Sequence, residues 1–171
     1  MVADPSVNMT IYVFDTSYLI ELADCGRDAN PQARDRIRKM FKVATEAGAR
    51  FAVPLPCLFE LGDHIADVRH DKRRDELSEW LLKTVESSLD NERPWIITPA
   101  GDPKEVLPPL LKVFKSKTAP RKIGLVDTFA ATEAARLKAE YRKIKALVHI
   151  WTNDRPLKGL EPDKESDPYH W

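Results

Sequence analysis

Asp15, Glu60, Asp127 and Asp154 are the side chains in this sequence whose settings point most directly to chemistry. Asp15 ends an unbroken β-branched and aromatic run, Thr10-Ile11-Tyr12-Val13-Phe14, and is followed by Thr16, Ser17 and an apolar turn. A run that dense predicts a strand buried on both faces, with a helix behind it. Glu60 opens a predicted helix behind a second strand, Asp127 lies in the first turn of a long one, and Asp154 closes the last strand. Carboxylates brought to the carboxyl edge of a parallel sheet repel one another. A hard divalent cation with oxygen ligands, Mg²⁺ or Mn²⁺, offsets that repulsion and can activate a water against a phosphodiester.

Each acid also has a bland role. Asp15 suits a helix cap, Glu60 and Asp127 can complement helix N-terminal dipoles, and Asp154 before Arg155-Pro156 suits a turn. With 27 acids in the chain, one such placement carries little information. Four in order, each beside a matching local pattern, carry more.

The elements that must position them alternate. Strands are predicted at Thr10–Phe14, Arg50–Val53, Trp95–Thr98 and Ala146–Trp151. Helices are predicted at Ala33–Glu46, Leu58–Val68, Lys72–Leu89, Lys104–Phe114 and Gly124–Tyr141. Gly26–Pro31 reads as a break, and Lys115–Lys122 as a basic loop without apolar anchors. Val126, Ala130, Ala134 and Leu137 give the long helix a narrow face of small residues suited to close packing on a sheet. Alternation of this kind predicts an α/β fold: three α/β/α layers around a mostly parallel sheet of four or five strands, with Thr10–Phe14 inside it.

Composition bounds the rest. The chain has 171 residues, 43% hydrophobic and 32% charged, and a net charge of zero, which fits one globular domain with a real core. Residues 1–160 read as that domain and 161–171 as a charged tail, with Met1–Asn8 a short mixed leader. Neutrality excludes a generally basic nucleic-acid coat but leaves room for local basic patches. Arg121 and Lys122, just before Asp127, are expected to hold a phosphate backbone; Lys115 and Lys117 belong to the same cluster. Cys25 and Cys57 have no metal-ligand spacing and, with no secretory leader, indicate a reducing, cytoplasmic setting. No apolar run approaches membrane-spanning length, so no membrane partner is expected.

Four stretches, VFDTSYLIEL, PLPCLFELGDHI, IGLVDTFAATEAA and VHIWTNDRPL, resemble in order the four motifs of the PIN-domain nucleases. The resemblance runs from about Ile11 to Leu160, and is sharpest at Asp15-Thr16 and at Thr152 with Asp154. It implies a metal-dependent endoribonuclease with Asp15, Glu60, Asp127 and Asp154 as the Mg²⁺- or Mn²⁺-holding acids. Thr16 and Thr152 are then hydroxyls supporting the site on its substrate-binding side, and the product carries a 5′-phosphate. RNA is the implied substrate. Because the family includes toxins of toxin–antitoxin pairs, an antitoxin protein and a second copy of the chain are implied partners. A non-catalytic RNA- or protein-binding module on the same fold is the competing reading. An aspartate-nucleophile phosphatase is disfavoured, because Ser17 stands where its second aspartate belongs.

Overall fold

The computed structural model describes residues 9–26, 31–99 and 101–165. The expected leader at residues 1–8, most of the break between Gly26 and Pro31, and the end of the tail at 166–171 lie outside them. The elements run β1 (Thr10–Phe14), α1 (Thr16–Ala23), α2 (Pro31–Glu46), β2 (Arg50–Pro54), α3 (Leu55–Ala66) and α4 (Asp71–Asn91). Then follow β3 (Ile96–Thr98), α5 (Pro103–Val113), α6 (Leu125–Glu140), β4 (Leu147–Trp151) and the short α7 (Arg155–Lys158). The four strands form one all-parallel sheet in the order β3-β2-β1-β4, so β1 is interior as its unbroken apolar run requires.

The strand alternation explains the three layers. On one face Phe14, Phe51, Val53 and Trp151 pack with Tyr18 and Leu19 of α1, Leu58 and Leu61 of α3, and Leu77 of α4. Aromatic rings dominate here: Tyr12 and Trp151 lie 4.1 Å apart between centroids and Phe14 and Trp151 5.4 Å. The other face carries Ile11, Val13, Ala52, Val148 and Ile150, covered by Ala130, Ala134 and Leu137 of α6. Alanine at the contact lets α6 lie close to the sheet, as its small-residue face predicts.

Three departures from the sequence reading have local causes. Pro54 and Pro56 do not separate β2 from the next helix. Pro56 sits in the first turn of α3, where its missing N–H costs no hydrogen bond, so the strand passes directly into the helix at Leu55. The stretch 115–122 is not a loop. A wide π-helical turn (Phe114–Thr118) and a 3₁₀ turn (Ala119–Arg121) extend α5. Its anchor is polar: the buried Thr118 and Thr128 hydroxyls lie 2.7 Å apart. Finally, Glu161–Glu165 is irregular but not detached. The backbone N–H groups of Val148 and Ile150 donate to Asp163 Oδ2 (2.7 Å) and Glu161 Oε2 (3.2 Å), and the Asp163 N–H donates to Val148 O (3.1 Å). Carboxylates thus stand in for a fifth strand along the free edge of β4. No helix among the described residues is long and apolar enough to cross a membrane.

Candidate functional site: an acidic cleft at the sheet's switch point

The chain moves from β1 outward to β2 and β3, then returns to the far side of β1 as β4. The crevice at the carboxyl ends of β1 and β4 is therefore the topological switch point, where open α/β sheets bind ligands. Asp15 stands there. Its N–H donates to Trp151 O (3.0 Å), carrying the β1–β4 ladder one step past the strand.

Asp15 occupies the N-cap position of α1, but its side chain makes no capping bond. Its Oδ2 instead accepts from Ser17 Oγ (2.7 Å) and Thr152 Oγ1 (2.8 Å). Both hydroxyls accept in turn from the loop after β4, Ser17 Oγ from the Asn153 N–H (3.2 Å) and Thr152 Oγ1 from the Asp154 N–H (2.9 Å). A carboxylate only 7% exposed, turned away from the helix end it could cap, is not serving as a cap.

The other acids arrive from three more elements. Glu60 lies in the second turn of α3, because that helix starts early, so it cannot complement the N-terminal dipole as a first-turn acid would. Its Oε2 accepts from Thr16 Oγ1 at 2.5 Å. Asp127 is in the first turn of α6. Its carboxyl is pushed up to about 6 by burial first, then by the charges of Asp15 and Asp154, with a smaller push from Glu60 and opposition from the Gly124 backbone. Asp154 does cap: its Oδ1 accepts from the Leu157 N–H (2.7 Å), starting α7.

Asp15, Glu60, Asp127 and Asp154 line one open cleft of about 410 Å³, together with Thr16, Ser17 and Asn153. Asp63 and His64 stand at the same cleft, exposed. Their spacing of three and four residues from Glu60 was the signal that they share its face. Ser17 was missed as a site residue; its place two residues after Asp15 was the only clue. Thr16 and Thr152 are buried with their hydroxyls spent on carboxylates, so they position acids rather than meet a substrate directly.

Arg121 and Lys122 do not line the cleft. They are exposed on the turn before α6 and make no ion pair among the described residues. The other basic cluster is structural. Arg73 donates to Ala23 O, Arg74 to Val68 O and to Asp71, and His70 caps α4 by accepting from the Arg73 N–H. Cys57 is buried, its thiol pushed up to about 12 by burial and then by the charges of Asp15 and Glu60, so it is no nucleophile.

Five carboxylates line the cleft and, among the described residues, no lysine or arginine does. That donor set is all hard oxygen, and the excess negative charge has no protein counter-ion in the lining, which suits Mg²⁺ or Mn²⁺ and not a soft metal. The bonds to Asp15, Glu60 and Asp154 fall on one oxygen each, leaving Asp15 Oδ1, Glu60 Oε1 and Asp154 Oδ2 unbonded among the described residues. No three His, Cys, Asp or Glu side chains among the described residues already stand in ligand geometry about one point. The chemistry of the donors fits a hard divalent cation. No family model matches the chain, and no curated protein matches it.

Proposed function

We propose that this chain is a metal-dependent endoribonuclease of the PIN-domain kind, hydrolysing phosphodiester bonds in RNA. The observation that carries the reading is the convergence of Asp15, Glu60, Asp127, Asp154 and Asp63 on one cleft at the sheet's switch point, with no lysine or arginine among the described residues of its lining. A protein that gains nothing from such a cluster has no reason to keep it, since each like charge raises the cost of ionising the next.

In this reading Asp15, Glu60, Asp127 and Asp154 hold Mg²⁺ or Mn²⁺ through the oxygens that their hydrogen bonds leave free. A bound divalent cation supplies Lewis acidity toward a phosphate oxygen and lowers the pKa of water beside it. Ser17 and Thr152 fix Asp15, and Thr16 fixes Glu60, so two of the four carboxylates are oriented before any ligand arrives. Such pre-orientation is what charge stabilisation at a reacting phosphate requires. A role as the toxin of a toxin–antitoxin pair, with an antitoxin or a second copy as partner, is the narrower form of the same proposal.

One observation favours the second reading, a non-catalytic RNA- or protein-binding module: the acids are not already in ligand geometry. Labelled RNA and DNA oligonucleotides incubated with Mn²⁺, Mg²⁺ or chelator separate the two, with Asp15→Asn as control. Cleavage that needs metal and Asp15 is expected. Cleavage that survives chelator, or none under any condition, would sink the nuclease reading.

A further inference from the structure

Lys112, Lys115, Lys117, Arg121 and Lys122 fall within one stretch, KVFKSKTAPRK, that holds no acid at all in a chain whose charges balance overall. All five are exposed, and none makes an ion pair among the described residues. Several exposed lysines on other helices are matched along their own helix. Lys42 faces Glu46, Lys72 faces Glu76, and Lys83 faces Glu79, each four residues apart. The 112–122 stretch gathers five such unmatched cations within eleven residues.

The stretch is also anchored to α6, the helix that carries Asp127. Leu110 and Thr118 are buried on its inner side, with Lys112, Lys115 and Lys117 outward between them. The Thr118 hydroxyl meets that of Thr128, the residue next to Asp127, and the Ile123 N–H donates to Thr118 O (3.0 Å). A π-helical turn inside a helical run often marks a functional position. Here it sets the cations on the outside of a segment clamped to the helix that carries Asp127.

We propose that residues 112–122 are a track for the sugar–phosphate backbone of the polynucleotide whose phosphodiester enters the acidic cleft, with Lys112, Lys115 and Lys117 extending the contact beyond Arg121 and Lys122. This rests on the nuclease reading for what happens in the cleft, but the track itself is a binding property. Cations inside the cleft would compete with the metal; outside it they neutralise the phosphates that the cleft cannot.

The test is fluorescence anisotropy of a labelled oligouridine in chelator, where nothing is cleaved, over a salt series. Lys112→Gln, Lys115→Gln and Lys117→Gln combined should weaken binding at least tenfold and flatten the log–log salt slope by about two, at roughly 0.7 per lost single-strand contact. Lys42→Gln, Lys72→Gln and Lys83→Gln combined remove the same charge and should change neither. Equal weakening by both sets would mean a net-charge effect and overturn the track. So would unchanged binding by the first set, which would leave the stretch to an acidic protein, or equal affinity of the wild type for polyglutamate. Binding through the track without cleavage in Mn²⁺ upholds the track and fails the nuclease reading. Metal-dependent cleavage with kcat/KM indifferent to the first set overturns the track and leaves the nuclease reading standing.

Discussion

Thr16 Oγ1 donates to Glu60 Oε2 across 2.5 Å, joining the first residue of α1 to the second turn of α3. Both helices follow strands, so this one bond fixes the relative placement of two carboxylates, Asp15 next to Thr16 and Glu60 itself. Thr16→Val keeps the shape and removes the donor. It should cost about 1 kcal/mol of stability, the usual worth of such a bond. It should also reduce the rise in melting temperature that Mn²⁺ gives, because Glu60 is no longer held. Melts with chelator and with Mn²⁺ read both effects, and a Mn²⁺ response equal to wild type would show that Thr16 does not position Glu60 for metal.

Asp15→Asn separates the site reading from the cap reading. The variant retains an oxygen for the Ser17 and Thr152 hydroxyls and loses one of the charges pressing on Asp127. It should abolish metal-dependent cleavage, leave the metal-free protein as stable or more stable by about 1 kcal/mol, and gain much less from Mn²⁺ than wild type does. Equal Mn²⁺-induced shifts in the two proteins would remove Asp15 from any metal site.

Asp127 predicts a pH dependence with a definite sign. Its folded carboxyl titrates at about 6 against an ordinary value of 3.8. Folding therefore takes up a proton between those values. The stability this contributes is complete below the ordinary value and is lost as pH rises through about 6. Asp127→Asn cannot titrate and resembles the protonated side chain. In chelator the two proteins should melt together near about pH 4, and the Asn variant should melt higher near about pH 8. A constant difference across that range would mean that Asp127 is not perturbed.

Cys57, completely buried beneath Asp15 and Glu60, should resist thiol reagents in the native protein and react only as fast as the chain opens. Reaction of Cys57 at the rate of a free thiol would contradict the packing under the site.

Much of this was legible in residue types. Thr10–Phe14 gave the interior strand because only a doubly buried strand tolerates five such residues in a row, and Gly48, at φ +79°, ends α2 where its sequence position suggests. Asp15, Asp127 and Asp154 were legible because each sits at a strand or helix boundary, which the sequence marks; Glu60 lies in the second turn of α3, whose start at Leu55 the prolines concealed. What was hidden depends on partners far away in the chain. Nothing near Thr118 says that its hydroxyl will find Thr128 and turn a basic loop into an anchored helical turn. Nothing near Glu161 and Asp163 says that their carboxylates will serve strand amides. Pro56 misled for a different reason: proline both ends strands and begins helices, and here it does the second.

The order of strands also has a consequence for when the cleft can exist. Asp15 and Thr152, hydrogen-bonded in the finished protein, are 137 residues apart, each one position past a strand, the first and the last of the sheet. At about 5–20 residues per second of translation, Asp15 is added to the chain roughly 7 to 27 seconds before Thr152. Throughout that interval Asp15 lacks the Trp151 carbonyl that receives its N–H and the Thr152 hydroxyl that fixes its carboxylate. Asp154 has not yet been added. A nascent chain therefore carries Asp15, Glu60 and Asp127 without the arrangement that joins them, and completion of the sheet and assembly of the cleft are a single late event in the life of each molecule.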